Sequence, residues 1–281
     1  SSLSEEEKTE LVKKTANLEQ YQEAPEDPEA AKCIPMLKRE DIRKEITPFT
    51  NEALDIDGSL FLYHEVPTNG IGYLDLMFDL KDLADLGLLK SVLGYVDTAH
   101  YTYGELTNEI NAQTGGIMCE VEVFDHADSV DAFRAFFSVR GKAMYPKTDV
   151  LFKMIREIIN TSSLKDTKRL HEIIAQVKSR AQSSLVSAGH STAVLRAASY
   201  TSPMAAFQDK MAGIAYYQFI EKLDKEFEER KDDLVKELSH LMQEILRPEY
   251  LCVSYTGERD SLMDVQKQVK ALKQTLHKEE V

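Results

Sequence analysis

The sequence predicts an α+β fold: a mostly antiparallel sheet packed against helices, preceded by a linker helix. Three observations carry this. Apolar residues recur at helical spacing near the start, alternate in strand-like runs between about residue 48 and residue 139, and return to helical spacing over most of the second half. The 281 residues, 43% of them hydrophobic, are ample for one large buried core. The expected division is a helical linker segment at 1–46 and an α+β domain at 47–281.

Ser4 and Glu7 make a capping box, after which Leu11, Val12, Thr15 and Leu18 share one face. The helix must stop before Ala24-Pro25, and Pro25 and Pro28 keep it stopped. Cys33–Leu37 reads as an extended link. A single apolar stripe does not sustain an isolated helix, so this one is expected to need a packing partner.

Leu60–Tyr63 reads as a strand closed by the turn residues Pro67-Thr68-Asn69-Gly70. Leu74, Leu76, Phe78 and Leu80 alternate with Tyr73, Asp75, Met77 and Asp79 as a half-buried strand. Helical patterns follow at 83–96 and 103–113, the second stopped by Gly115-Gly116. Cys119, Val121 and Val123 face away from Glu120 and Glu122. Phe133, Ala135, Phe137 and Val139 face away from Arg134 and Arg140, and the two runs are expected to pair antiparallel. A helix at 166–187 carries Leu170, Ile173, Ile174 and Val177 on one face and breaks at Gly189-His190-Ser191. Leu234, Leu238, Leu241 and Ile245 mark another helix. Tyr250–Tyr255 is a late strand ended at Gly257, and Leu262, Val265, Val269, Leu272 and Leu276 mark a final amphipathic helix.

The formal net charge of −14 is spread along the chain and excludes a basic nucleic-acid footprint. No apolar run reaches the roughly 20 residues that span a bilayer. No signal-like leader opens the chain, and Ser1 in place of an initiator Met is read as a boundary of processing or expression. Cys33, Cys119 and Cys252 are odd in number and form no CxxC, so they are expected to be reduced, mostly buried thiols in a cytoplasmic protein.

Residues suited to catalysis are present without the patterns that would assemble them. Neither HExxH nor HxxEH occurs: His171-Glu172 begins the first, but Ala175 stands where its second His belongs. His240 and Glu244 lie one turn apart, two ligands where a zinc site needs more. Gly70-Ile71-Gly72 starts a GxGxxG that Asp75 leaves incomplete, and neither a P-loop nor a GxSxG elbow exists. His190-Ser191 is explained by helix capping at Ser191 and Gly115-Gly116 by a helix stop. Arg134 and Arg140 could grip a carboxylate, but an ion-paired face explains them as well. Tyr216, Tyr217 and Phe219 read as core. Catalytic, cofactor-binding and metal sites are therefore each expected to be absent from this chain, as are nucleic-acid and membrane contacts.

The run Leu18–Ala30 leading into Cys33–Ile42 resembles the junction after the helical hairpin linker in the presequence-protease branch, subfamily C, of the M16 (pitrilysin, insulinase-type) zinc metallopeptidases. Thr68–Tyr73, Tyr103–Leu106 through Thr114–Ile117, Ser187–Ser191 and Gly213–Phe219 resemble the third domain of the same family, in the same order. The resemblance implies a chain of four similar α+β units whose two halves close around a chamber, with zinc bound by HxxEH and a downstream Glu in the first unit only. The segment at 83–96 corresponds by position to the metal helix, yet Leu83–Leu93 contains no His and Asp85 as its one acid. No zinc ligand carries over, and the family's substrate-contacting Arg and Tyr lie in a fourth unit with no counterpart here.

The expectation is a non-catalytic, chamber-forming domain of a larger zinc metalloendopeptidase that degrades unstructured peptides. Its partners would be the remaining M16 domains and those peptides, which an acidic surface suits. The alternative is a standalone scaffold or binding subunit paired with a separate catalytic chain. An unrelated chemistry using His171, Glu172 or His190 would need those groups to converge in a cleft.

Overall fold

The computed structural model describes residues 4–25, 28–45, 48, 50–80 and 87–278. The chain divides into two compact units, Ser1–Pro48 and Phe49–Val281.

In the first unit, helix α1 (Glu5–Glu23) begins at Ser4, whose Oγ accepts from the Glu7 N–H at 3.2 Å while Glu7 Oε2 accepts from the Ser4 N–H at 2.7 Å. Glu5, Glu6 and Glu7 occupy the first turn, where the helix dipole favours negative charge. Ala24 leaves the helix in extended geometry, as a residue before proline must. A single further turn, α2 (Pro28–Ala31), was not anticipated; Pro28 opens it where no N–H is needed. Leu11, Val12, Leu18 and Tyr21 are all more than half exposed. So are Ile34, Met36 and Leu37 in the link.

The second unit opens with a hairpin, β1 (Asn51–Ile56) and β2 (Ser59–Glu65), turned by Asp57 and Gly58 at φ 52° and 83°. Two consecutive positive φ values define a type I′ turn, which Asp-Gly favours. Asn69 and Gly70 repeat that geometry at φ 54° and 80° before β3 (Ile71–Asp79). The short helix α3 (Leu89–Val92), α4 (Tyr103–Gln113), β4 (Ile117–His126) and β5 (Ser129–Met144) follow. Helices α5 (Thr148–Thr161), α6 (Thr167–Ser187), α7 (Gly189–Ala198), α8 (Pro203–Ala212), α9 (Ile214–Lys225) and α10 (Phe227–Ile245) fill most of the second half. Strand β6 (Leu251–Gly257) and α11 (Arg259–Lys273) close the chain.

The described strands form one sheet in the order β1-β2-β6-β3-β5-β4, antiparallel except for the β2–β6 pair. The expected β4–β5 pairing is found, with Val121 opposite Phe137 and Cys119 opposite Val139. Period-two alternation selects the face that is covered. Leu74, Leu76 and Phe78 of β3, Phe137 and Val139 of β5, and Val253 and Tyr255 of β6 are buried. They share one core with Phe152, Ile155 and Ile159 of α5 and Val265, Val269 and Leu272 of α11.

Four expectations are corrected. The 67–70 turn does not join neighbours, because β6 inserts between β2 and β3. The helical pattern at 83–96 yields only α3 among the described residues: Gly94, at φ 86°, ends it. Residues 83–86 of that pattern lie outside the described residues. Gly189-His190-Ser191 is no loop but the first turn of α7, with Ala188 at the cap, so Ser191 does not cap it. Finally, Cys33 is exposed, while Cys119 and Cys252 are partly buried.

Candidate functional site

A cleft of about 730 Å³ lies beside β4, where α3, α4 and α6 come together. Every residue from Gly116 to Glu122 lines it. Gly115 and Gly116 build the entry to this strand: the Gly115 N–H donates to the Lys142 carbonyl at 2.8 Å, and Gly116 accepts from the Lys142 N–H at 3.4 Å. Gly116 has φ 107°, a conformation that side chains disfavour, and its N–H donates to Thr114 Oγ1 at 3.0 Å, so both glycine amides are engaged in the strand entry.

Leu93, Ile158, Ile173 and Val177 give the cleft an apolar floor. Lys90 of α3 enters it with its amine donating to the Met211 carbonyl at 3.0 Å and lying 5.6 Å from the centre of the Tyr216 ring. Burial lowers the pKa of this amine, and the nearby Glu120 opposes the shift. Burial pushes the Cys119 thiol up to about 12, with Glu120 adding to it, so Cys119 is an inert thiol at neutral pH.

On the opposite face of the sheet, Arg140 Nη2 binds Asp75 at 2.9 Å and pairs with Glu122, while its Nη1 reaches Glu120 at 3.5 Å. Ser138 donates to the other Asp75 oxygen. Three carboxylates thus share one guanidinium. Burial, then the neighbouring Asp75, raises the pKa of Glu122 despite that guanidinium. Arg134 is taken by Asp79 at 2.5 Å. Both arginines are therefore ion-paired within the sheet, and neither stands ready for a ligand.

The remaining candidates are scattered. His171 stacks on Phe227 with ring centres 4.3 Å apart and meets Asp224 at 3.2 Å, which also binds Lys178. Glu172 pairs with Arg169 at 3.2 Å. His190 is exposed at the start of α7. His240 and Glu244 do pair, at 3.3 Å. Tyr216 is core as expected, its hydroxyl donating to the Gly87 carbonyl at 2.8 Å, whereas Tyr217 is half-buried and Phe219 is exposed. Among the described residues, no three His, Cys, Asp or Glu side chains gather as metal ligands would.

Sequence reasoning missed the strand-edge position of the cleft, because strand order is a long-range property. It also missed the β1–β2 hairpin, although Asp57-Gly58 signalled it.

A family model described as peptidase M16 (subfamily C) associated matches residues 1–223. The chain belongs to this peptidase-associated family. Protein HypA of Clostridium perfringens is 30% identical over 268 residues, covering 94% of this chain and 27% of that protein. Presequence protease 1, chloroplastic/mitochondrial, of Arabidopsis thaliana is 29% identical over 275 residues, covering 95% of this chain and 25% of that protein. The chain therefore spans about a quarter of the length of these relatives. The crystal structure of a peptidase M16 inactive domain from Pseudomonas fluorescens superimposes with TM-score 0.51 at 13% identity, over 82% of this chain and 52% of that one, a likeness of fold.

Among the described residues of 83–96, α3 supplies Leu89, Lys90, Ser91 and Val92, and none of these four has the imidazole or carboxylate donors that a peptidase zinc ion takes.

Proposed function

We propose that this chain is a non-catalytic unit of a larger zinc metalloendopeptidase of M16 subfamily C, where it forms part of the wall of the chamber in which unstructured peptides are cleaved. What supports the reading is α3: taken as the counterpart of the metal helix, its turn Leu89–Val92 offers neither zinc ligands nor a general base. The family match and the quarter-length coverage of presequence protease support a place within a longer chain. The two-layer build supports a structural role, since one sheet face is packed by helices while the other keeps Tyr73 and Met118 exposed.

On this reading the partners are the remaining M16 domains and their peptide substrates, not nucleic acid or membrane. No described helix is long and apolar enough to cross a membrane. Reduced cysteines fit a reducing compartment, for which the cytoplasm is our proposal. The test is metal content: after dialysis against zinc and then buffer, the chain should retain substoichiometric zinc. One zinc per chain, removable by chelator, would contradict the reading.

A further inference from the structure

The cleft beside β4 has a property that its apolar floor alone does not convey. Seven consecutive residues, Gly116 to Glu122, line it, although successive side chains of a strand point to opposite faces. A cleft meets both parities only when it runs along the edge of the strand. β4 is the last strand of the sheet and pairs only with β5 among the described residues. Because Lys142 donates to Gly116, antiparallel alternation assigns the β5 bonds to Met118, Glu120 and Glu122. The N–H and C=O groups of Ile117, Cys119 and Val121 then point into the cleft.

We propose that this edge binds an extended peptide as an added antiparallel or parallel strand, one with apolar residues on one face and basic residues on the other. Only another extended backbone satisfies a row of strand amides and carbonyls. Apolar guest side chains would lie toward Leu93, Ile158, Ile173 and Val177. Basic ones would lie on the other face, where Asp75, Glu120 and Glu122 set three carboxylates against the one guanidinium of Arg140. On the helix side the cleft carries two cations, Lys90, which is committed to the Met211 carbonyl, and Arg180, so the basic guest residues belong on the carboxylate face and the apolar ones on this face. Exposed edges in natural sheets are usually blunted by bulges, prolines or lysines; Ile117–Glu122 carries no proline or lysine, and its register irregularity falls later, at Asp125/His126.

The inference rests on the proposed function only for the source of the peptide. Its test uses this chain alone and reads no cleavage, so either idea can fail without the other. The probe is a fluorescein-labelled twelve-residue peptide of alternating valine and lysine, titrated by anisotropy. Two further versions carry N-methyl groups on alternate amides, one in each phase. Of these two, one should bind about tenfold more weakly or worse and the other much as the parent does. Hydrogen exchange should slow at the Ile117, Cys119 and Val121 amides when the parent peptide binds. Glu120→Lys should weaken the parent peptide severalfold, with Glu120→Gln between. Absence of binding, equal binding by both methylated versions, or protection confined to other strands would overturn the proposal.

Discussion

Arg196 of α7 places Nη1 2.6 Å from Oδ2 of Asp209 on α8, and the other Asp209 oxygen accepts from the Ile214 N–H that opens α9 at 3.0 Å. One buried carboxylate therefore fastens three consecutive helices. It neutralises a guanidinium and fills an orphan donor at a helix start. A Cβ at Gly213 would collide with this same carboxylate, so the glycine is required by the close approach. Asp209→Ala should cost on the order of 2 kcal/mol, because it leaves the Ile214 N–H at the start of α9 without its acceptor, while water can solvate the partly exposed Arg196. Urea denaturation measures it; a loss below about 1 kcal/mol would mean that water replaces the carboxylate.

The core offers a sharper contrast. Phe152 of α5 is fully buried, whereas Leu11 of α1 is 55% exposed. Phe152→Ala should destabilise by about 3–5 kcal/mol through lost burial and the cavity left behind. Leu11→Ala should stay within about 0.5 kcal/mol. Chemical denaturation of both variants, followed by far-UV circular dichroism, reads the difference. A comparable loss for Leu11→Ala would show that its side chain is buried in solution.

Glu157 gives the fold a defined acid sensitivity. Burial opposes its charge, but hydrogen bonds from Thr98, from the His100 backbone and ring, and from Thr161 outweigh this and hold its pKa below 4.5. A carboxylate whose folded pKa is depressed stabilises the protein above its unfolded pKa, and that stability is lost as pH falls through the folded value. Glu157→Gln should therefore be destabilised at pH 7, with the gap to the parent protein narrowing below about pH 4.5. A gap that stays constant down to pH 3 would contradict the assignment.

The thiols should separate by reactivity. Cys33 is exposed, while burial raises the pKa of both Cys119 and Cys252, the former to about 12. Maleimide at pH 7 should label Cys33 first and leave Cys119 unlabelled until the protein is denatured. Mass spectrometry of the digested, labelled protein locates the adducts, and early modification of Cys119 would show that the β4 cleft opens more widely than described.

Local signals were legible where the physics is local. The Ser4–Glu7 box, the alternation of Leu74, Leu76 and Phe78, and the 3–4 stepping of Val265, Val269 and Leu272 each fix an element through its own neighbours. The insertion of β6 between β2 and β3 was not legible, since nothing near Tyr250–Tyr255 states which strands it will join. The same holds for the site. Ile117–Glu122 reads as an ordinary alternating strand, and only the sheet order makes it an edge with a cleft beside it. Arg134 and Arg140 gave a true strand face, but their partners Asp79 and Asp75 lie more than 50 residues away. At 83–96 the helical pattern was truncated among the described residues, because Gly94 takes a left-handed conformation that ends the turn.

On the proposed reading, this chain forms a peptidase-like unit without peptidase chemistry. Incubating the chain with a quenched fluorogenic, unstructured peptide, with zinc added and with a chelator control, tests that reading. No cleavage above the protein-free rate is expected in either condition. Zinc-dependent, chelator-sensitive cleavage that co-purifies with the chain would contradict it, and would mean that ligands remote in sequence converge on a metal here.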